Sequence, residues 1–152
     1  MGVTQPELEA TDRKILQLLA RDGRMSFTDL GKATGLSTSA VHQRVKRLEQ
    51  RGLILGYGAT VNHDEIGLPL TAFISITPID PSQPDNYPEL LRDITEIESC
   101  WSVAGQESYI LKIRVPTPAD LENLLARIRA AANVSTRTTI VLSTAYENRP
   151  LG

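Results

Sequence analysis

Apolar residues recur at two different periods along this chain of 152 residues, and the change of period divides it in two. Leu8, Ile15, Leu18 and Leu19 share one side of a helix that carries Thr11 and Asp12 in its early turns and stops near Asp22 and Gly23, where glycine supplies the stop. Ser26 and Ser37 each precede a further helical run, and a serine there accepts a hydrogen bond from an otherwise unpaired amide of the first turn. Gly35 stands between those helices, where a sharp turn calls for a left-handed residue. In the third helix Val41, Val45 and Leu48 recur at spacings of four and three. At about 100° per residue they form one narrow stripe, which must face a core. Leu53 and Ile54, followed by GYGATVN, predict a strand or wing. Short turn and capped helices together spell a helix-turn-helix.

NHDEIGLPL is a linker, since Asn62, Asp64, Gly67 and Pro69 are all turn formers. Beyond it the apolar positions alternate. TAFISITPI predicts a strand ending at Pro78 and the DPSQPDNYP loop. A helix is expected from about Pro88 to Thr95 through Leu90, Leu91 and Ile94, then strands in SCWSVAG and SYILKIRV around the GQE turn. PTPADLENLLARIRAAA predicts a helix with Pro118 in its first turn and Leu121, Leu124, Leu125 and Ile128 on one face, and STRTTIVLSTAY a last strand. The order βαββαβ is ferredoxin-like. The fold class is therefore α+β, with a winged helix-turn-helix over 1–56, a strand and hinge linker over 57–69 and a ferredoxin-like domain over 70–152. Such a sheet has one helical face and one bare face, and pairing with a second copy is the simplest cover for the bare one.

The side of the third helix opposite its stripe presents Ser39, Gln43, Lys46 and Gln50, flanked by His42 and Arg47. These are groove-reading types: Gln pairs bidentately with adenine, Lys and Arg meet guanine or phosphate, and a small Ser near the helix start lets the backbone approach. Arg44 lies nearer the core boundary and suits either a phosphate or an internal ion pair. With the capping Ser26 and Ser37 and the trailing Arg51, these residues make a candidate surface for double-stranded DNA. A solvated amphipathic helix is the plainer alternative. Charge favours the first. The net charge of −2 hides nine Lys and Arg against six Asp and Glu from Met1 to Gly56, or +3, and seven against twelve in the remainder, or −5. Between Ser37 and Arg51 only Glu49 opposes Arg44, Lys46, Arg47 and Arg51. A patch of that kind gives salt-dependent attraction to phosphates, and so few cations call for a multimer.

Composition narrows the remaining classes. One Cys excludes an intramolecular disulfide, and with two His no metal cluster assembles at recognised spacings. Cys100 is expected to be a buried, inert thiol, and His63 to lie in a connecting segment without special role. No phosphate-binding glycine loop or catalytic Ser, His and carboxylate set stands out, so no enzyme and no cofactor are expected. No apolar run approaches a membrane span and MGVTQPELEATDRK lacks a signal pattern, so a cytoplasmic protein without membrane contact is expected.

Taken together, TDRKILQLLARDGRMSFTDLGKATGLSTSAVHQRVKRLEQRGLILGYGATVN, IGLPLTAFISI, VAGQESYILKI and ANVSTRTTIVL resemble the Lrp/AsnC family of leucine-responsive, feast/famine transcription regulators. The likeness covers nearly the whole chain. It implies a helix-turn-helix hinged to a ferredoxin-like effector and dimerisation domain, homodimers that commonly assemble as four dimers into octamers, and an amino acid or related small metabolite as effector. Binding changes assembly or DNA affinity by shifting populations. Carried over by position, the effector loop falls on Gly105, Gln106, Glu107, Ser108 and Tyr109, with hydroxyls from Thr136 and Thr138 on the last strand. Gly105 permits close approach to backbone amides, and Glu107 is the candidate to meet an α-ammonium group. Many members carry Asp where Ser108 stands. A polar hairpin turn is the plainer reading of QES, and Trp101 and Tyr109 suit packing better than clamping a ligand.

The leading expectation is a sequence-specific, amino-acid-responsive transcription regulator. Two alternatives stand beside it: a ligand-independent architectural DNA-binding protein, and an amino-acid-binding metabolic protein that does not bind DNA.

Overall fold

Three capped helices open the chain in the computed structural model, which describes residues 7–152; residues 1–6 of the expected first domain lie outside the described residues. They are α1 (Ala10–Arg21), α2 (Phe27–Thr34) and α3 (Thr38–Gln50). Ser26 Oγ accepts from the Asp29 amide at 3.0 Å and Ser37 Oγ from the Ala40 amide at 3.2 Å. Gly35 ends α2 with φ 75°, as the left-handed turn requires. Ile15, Leu30, Val41, Val45 and Leu48 form the buried core, with Leu8, Leu16, Leu18, Leu19, Met25, Leu36 and Ile54 packed around it. Each fully buried aliphatic side chain contributes about 1.5 to 3 kcal/mol.

The expected strand or wing after α3 does not form: residues 53–62 carry no strand. The cause lies in the helix end. Gly52 turns the chain at φ 75°, and the amides of Leu53 and Ile54 are both spent on the Leu48 carbonyl, at 3.0 and 3.2 Å. Gly56 and Gly58 then weaken extended pairing.

The second region is built from β1 (Leu70–Pro78), α4 (Tyr87–Leu91), β2 (Ile97–Ser102), β3 (Tyr109–Val115), α5 (Pro118–Ala132) and β4 (Val134–Ile140). The strands form one sheet in the order β2-β3-β1-β4, antiparallel throughout. This is the expected βαββαβ arrangement. Ala72, Ile74, Ile76, Leu111, Ile113 and Val115 face the helices, whose Leu91, Leu121, Leu124 and Ile128 complete the core. Helix α4 is shorter than expected, five residues, because the chain turns at Leu91, whose carbonyl accepts from the Ile94 amide at 3.1 Å. Strand β2 starts earlier than SCWSVAG, and β4 stops at Ile140, short of Tyr146.

The chain separates into two compact units, one running to Thr60 and including Tyr146–Gly152, the other Val61–Ala145. A bond of 2.7 Å from Gln17 Nε2 to the Gly152 carbonyl contributes to that grouping. The opposite face of the sheet carries Phe73, Ile110 and the 47 % exposed Trp101 beside Lys112, Arg114 and Arg137.

Candidate DNA-reading helix and effector loop

The stripe of α3 settles which residues point outward. With Val41, Val45 and Leu48 buried, Ser39, His42, Gln43, Lys46, Arg47 and Gln50 are exposed, and Arg51 follows at the helix end, also exposed. Six of the nine expected DNA-surface residues, Ser39, His42, Gln43, Lys46, Arg47 and Arg51, therefore lie on one accessible surface. Ser26 and Ser37 are exposed but serve as caps. The His42 ring stands edge-on to Phe27, centroids 5.3 Å apart, which ties the reading helix to the start of α2.

Arg44 departs from that surface. Its Nη1 donates to Asp12 Oδ1 at 3.0 Å and to Glu9 Oε2 at 2.9 Å, both at or beside α1. This is the internal ion pair, not a free cation. Hydrogen bonding from Arg44 holds the Glu9 carboxyl below its ordinary value, and the two carboxylates hold the Arg44 guanidinium above its own. Glu49, the one acid within α3, accepts from the Tyr57 hydroxyl at 3.3 Å. Desolvation and that neighbouring carboxylate push the Tyr57 phenol up.

Sequence reading missed Gly31. A Cβ there would stand 2.6 Å from the Leu36 carbonyl oxygen, so only glycine lets α2 lie against the turn into α3. It also missed Asp12 and Glu9 as partners of Arg44, because nothing local connects positions 32 and 35 residues apart. The glycine inside a short helix was the available signal for the first. No local signal exists for the second.

The hairpin between β2 and β3 carries the expected effector loop. Gly105, Gln106 and Glu107 lie at its tip, with the Glu107 carboxylate 3.6 Å from where a Gly105 Cβ would sit. Ser108 is fastened to the sheet: its amide donates to the Ile76 carbonyl and its carbonyl accepts from Val103, each at 3.0 Å. Tyr109 is buried, donates to Asp85 Oδ1 at 2.8 Å and meets the Tyr87 ring edge-on at 5.9 Å. Its phenol is pushed up, chiefly by the hydrogen bond to Asp85. Packing is thus its evident work. Thr136 and Thr138 sit half-buried on the helix side of β4, opposite Ile76 and Ile74, and Thr136 Oγ1 accepts from Arg129 at 3.3 Å. Tyr109 and Thr136 flank Ile76 in one row across the sheet, about 10 Å apart at two strand spacings.

Cys100 is exposed, contrary to the expected buried thiol. Strand β2 is the sheet edge, and the short α4 leaves the residue lining an open cavity with Pro88, Leu91 and Ile94. Desolvation by these neighbours pushes the thiol up, which works against thiolate chemistry. His63 is half-buried in the turn before β1. Among the described residues no three potential metal ligands gather, and no helix is long and apolar enough to cross a membrane.

A helix-turn-helix with an outward cationic face defines a DNA-binding protein, here joined in one chain to a ferredoxin-like domain. The AsnC-type helix-turn-helix domain matches residues 8–49 and the Lrp/AsnC ligand binding domain residues 71–151. The chain belongs to the Lrp/AsnC family of transcription regulators, which are not enzymes. It is 52% identical over 142 residues to the transcriptional regulator LrpA of Mycobacterium tuberculosis, covering 93% of this chain and 95% of that one. The leucine-responsive regulatory protein of Escherichia coli is 34% identical over 150 residues, covering 95% and 91%. A feast or famine regulatory protein of M. tuberculosis, solved as a complex with L-methionine, superposes with a TM-score of 0.93 at 51% identity, covering 95% of this chain and 99% of that one.

Proposed function

We propose that this regulator reads a specific DNA sequence through α3 and that an amino acid bound near the β2–β3 hairpin changes its DNA affinity or assembly. The observation that carries the reading is the outward face of α3: five exposed groove-reading side chains, Ser39, His42, Gln43, Lys46 and Arg47, lie opposite a fully buried stripe. Gln43 and Lys46 contact base edges, Arg47 and Arg51 phosphates, and Ser39 the close-approaching backbone. Ser26 and Ser37 present helix N-termini to the phosphate backbone, while Arg44 acts from within.

The effector site comprises Gly105, Gln106, Glu107 and Ser108, with Tyr109, Thr136 and Thr138 as its floor. Glu107 meets the α-ammonium and backbone amides near Gly105 meet the carboxylate. The L-methionine complex and the leucine-responsive relatives make these two amino acids the first candidates. The bare sheet face pairs two copies through Phe73, Ile110 and Trp101, and four such dimers form the octamer. Two reading helices in a dimer then address two half-sites. The protein works in the cytoplasm.

The test is a gel-shift on the DNA upstream of its own coding sequence, repeated with each amino acid, with assembly followed by sedimentation. Retention of that DNA over unrelated DNA, changed by at least one amino acid, is expected. Retention that no amino acid alters in strength or assembly refutes the effector reading, and the lack of any retention at low salt refutes the DNA reading.

A further inference from the structure

We infer that Asp12 is a positioning residue of the DNA interface: its buried carboxylate draws Arg44 off the cationic face of α3 and fixes that helix's roll, so Arg44 governs base discrimination without touching DNA. The inference rests on the proposed reading role of α3 and names what holds that helix at the right angle.

The stripe of Val41, Val45 and Leu48 spans only about 60° of the helix circumference. So narrow a seat resists separation better than rotation. On the same wheel Arg44 lies about 60° to one side of Val41 and Glu49 about 80° to the other. Each is moored. Arg44 reaches Asp12 at 3.0 Å and Glu9 at 2.9 Å, and Glu49 takes the Tyr57 hydroxyl at 3.3 Å. The two stays pull on opposite flanks and oppose roll in both directions.

Burial decides which stay dominates. The Asp12 side chain keeps 6% of its accessibility and Arg44 26%, while Glu9 keeps 65%. A carboxylate so enclosed cannot be left unpaired without a large desolvation cost, so it holds its cation firmly. The exposed Glu9 adds less. Lys46, Arg47 and Arg51 are exposed and make no ion pair among the described residues, which leaves Lys46 for a base edge and Arg47 and Arg51 for phosphate. A roll of 10 to 20° moves a side-chain tip by about 1 Å or more, beyond what paired hydrogen bonds to a base edge tolerate. The slower fall of Coulomb attraction spares phosphate contacts. Losing the stay therefore costs discrimination first.

The experiment measures affinity for a duplex from the upstream region and for a scrambled duplex across a salt series, using full-length wild type, Asp12→Asn, Glu9→Gln, Arg44→Met and Arg44→Lys. Asp12→Asn and Arg44→Met are expected to lower the specific-to-scrambled ratio about tenfold, Glu9→Gln about twofold. All should keep the wild-type salt slope on scrambled DNA. Arg44→Lys, which restores one charged donor, is expected to recover part of the ratio lost in Arg44→Met. A salt slope lower by about one in Arg44→Met on both duplexes makes Arg44 a phosphate contact and overturns the inference. So does an unchanged ratio in the variants, or equal ratios for Met and Lys. Should Asp12→Asn fail to fold, the exposed Glu9→Gln and the Met and Lys pair still decide. A wild type that shows no discrimination at all refutes the reading function of α3 instead.

Discussion

The helical unit and the sheet unit solve opposite problems. The first carries its proposed reading surface on one continuous helix, seated by five buried side chains, with cations gathered on the exposed side of that helix. The second has the larger core, fourteen buried residues, but spreads its candidate site over a hairpin tip and a strand two places away in the sheet, and carries Trp101, Ile110 and Phe73 on the face away from its helices. A reader of a regular polymer needs one rigid element presented outward. On the proposed function, the sheet unit is a detector that reports a small molecule through assembly, and such a detector needs a surface left for neighbours to complete.

The largest effect that tests this division comes from the sheet core. Ile74→Ala should cost the sheet unit about 2 to 5 kcal/mol, read as lost hydrogen-exchange protection in β1 and β3 while α2 and α3 keep theirs. Equal loss in both units would show that they unfold as one body and would break the comparison. Gly31→Ala should do the converse. Its Cβ meets a backbone carbonyl at 2.6 Å, so about 1 to 3 kcal/mol is lost from the helical unit alone, and DNA affinity falls while any ligand binding persists.

Gln43→Ala should cost about 1 to 3 kcal/mol at its cognate base and little elsewhere. Arg51→Ala should instead weaken every sequence alike and lower the salt slope by about one. Identical uniform losses from the two would erase the distinction between reading and positioning on α3. Tyr109→Phe is the smallest change, about 1 kcal/mol from the bond to Asp85, and its sign depends on pH. The folded-state phenol is raised above its ordinary value of 10.0, chiefly by that bond. Its contribution is therefore complete below the ordinary value and is lost as pH rises through the raised one. Denaturant titrations near neutrality and in this alkaline range should find wild type and variant converging as pH rises; a constant gap would place the stabilisation elsewhere.

Legibility in the sequence follows the same division. Ser26, Gly35, Ser37 and the Val41, Val45 and Leu48 stripe are local, so caps, turn and outward face could all be read at a spacing of a few residues. The alternation in TAFISITPI and the leucines of α5 likewise placed the sheet and its helix. What failed was set by distance or competition. Leu53 and Ile54 have strand-like side chains, yet their amides are taken by the end of α3. Cys100 was expected inside, yet its strand is an edge. The Asp12 and Arg44 pair joins residues 32 apart, which no periodicity reveals. For the effector loop, Ser108 and Tyr109 are held by Ile76 and Asp85 from other elements, so their packing role emerges only from the folded chain.

The claim on which all this depends is that the two units act as separable output and input. The most direct measurement is the DNA affinity of wild type and Glu107→Ala on the upstream duplex, titrated with L-methionine and L-leucine. Equal affinity of the two proteins without amino acid, with a shift on addition only in wild type, is expected. A Glu107→Ala protein that responds as wild type does, or one that has lost DNA binding in the absence of any amino acid, would contradict it.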